Sequence, residues 1–260
     1  MTKLLEHLEG RRRAERKLLV PYLMAGAPEA SVFGPALAAL DEVADAIEVG
    51  LPYSDPLMDG PVIASAGERA LRNGTGPHAA LELLARAPAS GVPRVVMTYY
   101  NPIHRVGEAE FCRRCADAGA AGLIVPDLPL EESADLRAAA AAAGLAWIPL
   151  VAPTSPPARV SALAETCTGF VYAVSALGVT GLRTSLSERA AAVVNACRAA
   201  TDLPVLVGIG VSTAAQAVEA SEGSDGVVIG SAVVRLLMEE GVEATGAFVR
   251  DVRDALDGSA

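Results

Sequence analysis

Residues 94–125 read RVVMTYYNPIHRVGEAEFCRRCADAGAAGLIV. A run rich in β-branched and aromatic residues (Arg94–Tyr99) gives way to a charged stretch with a helical pattern (Glu108–Ala118). A second short apolar run (Ala121–Val125) then follows. Apolar runs alternating with longer amphipathic stretches mark parallel βα units, because a parallel strand buried on both faces needs helical cover and a crossover.

The same alternation extends in both directions. The spacing predicts strands over Leu18–Ala25, Ala44–Val49, Ala146–Val151, Phe170–Val174, Pro204–Ile209 and Gly226–Ile229, which with the first two make eight. Helices are expected at Ser31–Glu42, Pro77–Ala87, Glu131–Ala143, Pro156–Glu165, Ser187–Ala199, Thr213–Glu219 and Ala232–Glu239. Three further helices flank these units: an N-terminal one (Thr2–Arg16), one after strand two (Pro61–Arg72) and a terminal one (Ala244–Leu256). Eight such strands in 260 residues fit a closed (β/α)8 TIM barrel, a fold that typically takes about 250. One domain is expected over residues 1–260, since no linker divides the chain. An open doubly wound sheet is disfavoured because no GxGxxG follows the first strand.

The composition narrows the function classes. A net charge of −10 speaks against a nucleic-acid partner, whose phosphates are met by clustered Lys and Arg. The basic run at Arg11–Arg13 with Arg16 and Lys17 is interrupted by Glu15 and reads as a solvated helix end. The uncharged stretch Ala138–Ala158 is broken by Gly144 and four prolines, and so reads as helix end, strand and loop rather than a membrane span. Acidic residues precede Leu18–Ala27 where an export signal is basic, so a cytoplasmic location is expected. Cys112 and Cys115 form a CxxC inside a helical pattern with no second pair, which suits buried core better than zinc or redox chemistry.

Several polar residues fall where a barrel should not tolerate them. Glu48 sits near the end of strand two. If Ile47 and Val49 face the helices, the two-residue period aims Glu48 into the barrel mouth. There it serves either as a proton-exchanging group with raised pKa or as half of an ion pair with an arginine. Asp59 ends the proline- and glycine-shaped loop after that strand, as a second mouth carboxylate or as a turn former. Tyr172 in strand six reaches the lumen in one register and is core in the other. Asp127, after strand four, is a mouth carboxylate or a helix-entry hydrogen-bond acceptor.

Glycine-bearing segments follow the last three strands: Gly178–Gly181, Gly208–Ser212 and Ile229–Ala232. Glycine lets backbone N–H groups approach an anion, and loops after strands seven and eight are the usual phosphate site of this architecture. A small phosphorylated substrate is therefore expected. The only lysines, Lys3 and Lys17, precede the first strand, so a Schiff-base mechanism has no candidate. Three histidines, His7 and His78 at or near helices and His104 in a loop, leave a metal-dependent aldolase short of ligands, so no metal is expected. Neither a GxSxG elbow nor a nucleophile–histidine pair is evident. Carboxylate acid–base chemistry remains.

At this point the motifs resemble a family. Residues 46–61, AIEVGLPYSDPLMDGP, look like the signature of tryptophan synthase α subunits. Residues 172–181, YAVSALGVTG, and the glycine ends at Gly210 and Gly230 agree with it, and the order fits from about Leu18 to the C-terminus. The resemblance implies a lyase that cleaves indole-3-glycerol phosphate to indole and glyceraldehyde 3-phosphate in tryptophan biosynthesis. It implies Glu48 as general acid/base, Asp59 as partner of the indole N–H, and Tyr172 beside them. Gly181, Gly210, Gly230 and Ser231 would hold the phosphate; Tyr22, Tyr99, Leu123, Thr180 and Ile209 would line the indole pocket and mobile loop. It further implies an αββα assembly with a β subunit that carries pyridoxal phosphate, no cofactor in this chain, partner contacts at Leu51–Pro61 and Asn101–Gly107, and closure of Gly178–Ser187 over substrate. Ala27 and Ala64 depart from the acidic residue and glutamine expected there. The rivals are another phosphosugar isomerase, a synthase of the same substrate that relies on strand-end lysines, and a non-catalytic activating barrel that would have lost Glu48 or Asp59.

Overall fold

A computed structural model describes residues 1–174, 186–208 and 210–258. Helix α1 (Lys3–Arg13) leads into β1 (Leu18–Met24), α2 (Ala30–Asp41) and β2 (Ile47–Gly50). Two helices follow, α3 (Pro61–Arg72) and α4 (Pro77–Arg86), then β3 (Arg94–Met97), α5 (Tyr100–Val106), α6 (Glu108–Asp117) and β4 (Ala120–Ile124). Next come α7 (Ala134–Ala142), β5 (Ala146–Trp147), β6 (Leu150–Val151), α8 (Pro157–Thr166) and β7 (Val171–Val174). The chain continues through α9 (Leu186–Arg198), β8 (Val205–Gly208), α10 (Ala214–Ser221), β9 (Gly226–Ile229), α11 (Ser231–Glu239) and α12 (Val242–Asp257).

All recorded pairings are parallel, and the strands run in the order β5-β4-β3-β2-β1-β9-β8-β7-β6. The two end strands, β5 and β6, are halves of the single strand expected over Ala146–Val151. Pro149 divides them because it has no N–H to give a ladder. The ladder nevertheless continues through the gap: Ile148 N–H donates to Leu123 O at 3.1 Å, and Tyr172 N–H donates to Pro149 O at 3.0 Å. The sheet therefore returns on itself as a barrel of eight strand units.

Side-chain alternation separates two apolar layers. Leu18, Val20, Val95, Ile124, Phe170, Leu206 and Val228 fill the interior, while Leu19, Leu23, Ile47, Val49, Val96 and Val207 pack against the helices. Leu4 and Leu8, one helical turn apart on α1 and fully buried, join the interior cluster and close its N-terminal end. Thr2 caps α1 by accepting the Leu5 N–H at 3.3 Å.

Two expectations need correction. The segment after β3, which places His104 in a loop on sequence grounds, is the helix α5. Its first amide, Tyr100 N–H, donates to Asp127 Oδ1 at 2.9 Å. That cap comes from the β4 end, so it is invisible locally, and Pro102 is tolerated because it falls in the first turn. The basic run is not simply solvated either. Asp45, fully buried just before β2, accepts the Leu19 N–H at 2.9 Å and pairs with Arg16 at 3.3 Å, Arg253 at 3.2 Å and, more distantly, Arg11 at 3.7 Å. Arg253 lies on α12, so one carboxylate ties the end of α1, the start of β1 and the last helix together.

Asp45→Ala should therefore leave the buried Arg253 without its main-chain-anchored counter-ion and lower the unfolding free energy by about 3–5 kcal/mol. Urea unfolding measures this; a loss below about 1 kcal/mol, the range of a surface pair, would show that the cluster contributes little.

Candidate active site

The mouth forms where β1, β2, β3 and β7 end. Tyr22 and Glu48 are paired in register on neighbouring strands. Because Ile47 and Val49 belong to the helix-facing layer, Glu48 points inward, and it is only 3% exposed. Among the described residues no arginine offsets it. Burial first, and the nearby charge of Asp59 second, push its pKa up to about 8. The structural ion-pair alternative is thereby excluded within those residues.

Asp59 reaches the same cavity from the loop after β2. Burial pushes its carboxyl up to about 6, and a hydrogen bond from Tyr99 works in the opposite direction. Two carboxyls that disfavour each other's charge in a dry mouth take up protons in sequence. Near neutral pH, Glu48 mainly carries the proton and Asp59 mainly the charge. Tyr22 and Tyr172 complete the group. Burial raises both phenols well above their usual range, and both feel the charges of Glu48 and Asp59, so both remain neutral donors.

Two glycines make the tyrosine positions possible. A Cβ on Gly50 would lie 1.8 Å from the Tyr22 hydroxyl oxygen, and one on Gly208 would lie 2.5 Å from Tyr172 Cε2. Gly208, expected among the anion-binding glycines, is thus the seat of the Tyr172 ring. The other glycines expected to hold an anion lie further along. Gly210 adopts a φ of +74°. Gly230 is the N-cap of α11, and Ser231 is that helix's first residue. On β8 and β9, Leu206 pairs with Gly226 and Val207 with Val227. The first amides of α11 have no partner within the helix, and its N-cap, Gly230, lies against Tyr22, where a Cβ would stand 3.7 Å from Tyr22 Cβ.

The structure brings Tyr22, Glu48, Asp59, Tyr99 and Tyr172 together, with Gly210, Gly230 and Ser231 on the adjoining strand ends. Leu123 does not join them. It is fully buried in the helix-facing layer, and Ile124, one residue on, takes the interior position, so the expected register on β4 is corrected by one residue. Thr180, Gly181 and Ile209 lie outside the described residues. Ala27 is buried in an apolar cluster with Tyr22, Met24 and Ala66, a setting that suits alanine better than an acid. Sequence reasoning missed Tyr53 and Asn101: Tyr53 stacks on Tyr99 with ring centroids 5.2 Å apart, and Asn101 Nδ2 donates to the Tyr53 hydroxyl at 3.1 Å. The lone tyrosine in the loop's proline- and glycine-rich run was the one available signal. A cavity of about 330 Å³ is lined by Met58, Pro126, Leu150 and Val174 among others, and neither Glu48 nor Asp59 is part of its lining. Among the described residues, no group of three or more His, Cys, Asp or Glu side chains is arranged to hold a metal ion, and no helix is long and apolar enough to cross a membrane.

A family model described as tryptophan synthase alpha chain matches residues 8–254. A tryptophan synthase alpha chain from Gloeobacter violaceus is 49% identical, with 91% of this chain and 88% of the relative covered. One from Streptomyces avermitilis is 47% identical, with 89% and 84% covered. Among solved structures, tryptophan synthase from Mycobacterium tuberculosis superposes with a TM-score of 0.91 at 41% identity, covering 98% of each chain. The alpha subunit from Legionella pneumophila gives 0.91 at 31% identity, covering 99% of each.

The burial of Glu48 predicts a stability cost at the mouth. Its folded pKa of about 8 lies above the ordinary 4.5, so the folded state favours the protonated acid. That contribution is fully present below pH 4.5 and is lost as pH rises toward 8. Glu48→Gln keeps the neutral shape without this loss. It should melt above the wild type near neutral pH, by a margin that widens between pH 4.5 and 8. Thermal unfolding of both proteins across that range decides it, and a constant difference would mean Glu48 is solvated.

Proposed function

The chain belongs to the tryptophan synthase alpha chain family, and from that premise we propose that it is a carbon–carbon lyase that cleaves indole-3-glycerol phosphate to indole and glyceraldehyde 3-phosphate. The observation that carries the reading is the pair of buried carboxyls, Glu48 held near 8 and Asp59 near 6, beside a glycine-lined helix N-terminus.

The phosphate is held by main-chain amides at Gly210, Gly230 and Ser231, with Gly181 assigned to the same task by resemblance. Backbone donors at a helix N-terminus bind a dianion without a lysine, which suits a mouth that has none. The apolar walls beside Tyr22, Tyr99 and Ile124 receive the indole ring.

With the substrate so placed, protonated Glu48 gives its proton to ring carbon C3. The ring nitrogen then carries positive charge as an iminium, and ionised Asp59 stabilises it while accepting the N–H. Glu48, now a carboxylate, withdraws the proton of the side-chain hydroxyl next to the ring. The C–C bond breaks, its electrons restore the ring double bond and neutralise the nitrogen, and the former carbinol leaves as an aldehyde. One proton enters at C3 and one leaves the hydroxyl, so Glu48 ends as it began. Tyr172 lines the cavity where these transfers occur. The division between a proton carrier and a fixed anion is a recurrent use of two carboxyls with separated pKa values. No metal or organic cofactor is assigned to this chain. Pyridoxal phosphate belongs to the partner β subunit, which takes the indole in an αββα assembly, and a biosynthetic role of this kind places the protein in the cytoplasm.

The test is a coupled assay for glyceraldehyde 3-phosphate from indole-3-glycerol phosphate, with and without a β subunit. Activity should require Asp59 ionised and Glu48 protonated. kcat/KM therefore falls below about pH 6 and above about pH 8. Glu48→Gln should lose at least about 100-fold in kcat, the lower end of acid–base catalysis. No product under either condition reduces the reading to a phosphate-binding barrel.

A further inference from the structure

We propose that Tyr99 is a positioning residue for this reaction: its hydroxyl, anchored on the Met58 amide, holds the Asp59 side chain as an oriented anion facing the substrate's ring nitrogen. The inference rests on the function proposed above and adds a residue to it.

The argument begins with where Asp59 sits. Glu48 is borne on a strand, but Asp59 hangs from a loop whose local main-chain bonds are two turn contacts, Leu57 N–H to Asp55 O at 3.0 Å and Asp59 N–H to Pro56 O at 3.2 Å. Leu57 in that loop is 86% exposed. A side chain on such a segment needs a tether to a rigid element if it is to meet a developing charge at fixed distance.

Tyr99 supplies the tether. It stands at the end of β3, 2% exposed. Its oxygen accepts the Met58 N–H at 3.1 Å. A phenol has one proton, and this hydroxyl lies near enough to the Asp59 carboxylate for each group to shift the other's pKa. The loop is thus fixed through its backbone, one residue before Asp59, by a hydroxyl at the N-cap of α5 that also faces the Asp59 carboxylate. Behind it, the Tyr53 ring stacks on the Tyr99 ring, and Asn101 fixes the Tyr53 hydroxyl.

The hydroxyl also sets the charge of its partner. The groups facing Asp59 are Glu48 on β2, Tyr22 on β1, Tyr172 on β7 and Tyr99. Facing Tyr99 are Asp59 and, more distantly, Asp127. No cation among the described residues favours an anionic Asp59. The Tyr99 hydrogen bond is the one interaction that opposes the burial of its carboxyl. Burial and Asp59 keep Tyr99 protonated throughout the working range, so it donates at every relevant pH.

Tyr99→Phe keeps the ring and its stack and removes only the hydroxyl. In the whole subunit, the low-pH limb of kcat/KM should move up by about one pH unit, equivalent to a tenfold weaker preference for the carboxylate. kcat at neutral pH should fall about 10-fold or more, as for loss of a charge-assisted hydrogen bond. KM should change much less, because the phosphate rim is untouched. A side chain that only fills space would not displace the limb. If Tyr99→Phe does not fold, 3-fluorotyrosine at position 99 gives the opposite sign. A more acidic phenol donates more strongly, so the limb should move down. Wild-type turnover with the same low-pH limb in either variant overturns the role of Tyr99 alone. Absence of turnover in the wild type overturns the function on which it rests.

Discussion

Two carboxyl groups share one desolvated mouth, and most of what the site does follows from their burial, to which the charge of Asp59 adds at Glu48. Neither Glu48 nor Asp59 has a cation to answer it among the described residues. Burial raises both, and each ionisation opposes the other. The pair therefore holds about one proton near neutrality, and differences in surroundings decide where it resides. Glu48 on the strand, buried deeper and without a favouring donor, keeps it. Asp59, given a phenol to lean on, stays charged. A single arginine in reach would have lowered both carboxyls and removed the acid from the site.

The architecture serves that electrostatic arrangement in layers. Parallel strands fix Tyr22 against Glu48 and carry Tyr172 from across the barrel, while glycines at Gly50 and Gly208 leave room for the rings. Those rings exclude water from the carboxyls, which keeps the local dielectric low and the repulsion strong. The anion rim proposed at Gly210 and Gly230 would use dipoles rather than side-chain charge. A lysine clamp on the phosphate would place a cation near the two acids and disturb their proton balance; main-chain donors avoid this.

Much of this was legible in the sequence, because barrel strands read as short apolar runs and an acid in such a run has few places to go. Glu48 between Ile47 and Val49 gave its own orientation through the two-residue period. Pro61 at the first position of α3, after Gly60, marked that helix's start. What could not be read came from contacts distant in the chain. The helix α5 is capped by Asp127, twenty-seven residues from Tyr100. The tethering of Asp59 depends on Tyr99, forty-one residues from Met58. On β4 both Leu123 and Ile124 are apolar, so alternation offers no way to choose which faces the lumen, and Leu123, taken for the pocket from the resemblance alone, packs against the helices instead. The arginines near α1 looked solvated because their counter-ion, Asp45, belongs to another unit.

Asp45, just before β2, and Glu48, within it, stand three residues apart, and their contrast shows that the neighbours decide what a buried acid does. Both lose hydration, and burial raises both. Ahead of the strand the cost is offset by the Leu19 amide, by Arg16 and by arginines from α1 and α12, so Asp45 remains a structural anion that binds three segments together. At the C-terminal end the nearest charge is another carboxyl, and the cost is left standing as a proton that Glu48 holds loosely enough to give away. A barrel built this way separates its tasks along the strand axis. Ion pairing secures one end, and unrelieved repulsion makes the other reactive, so the reactive end can be destabilised without loosening the frame that positions it.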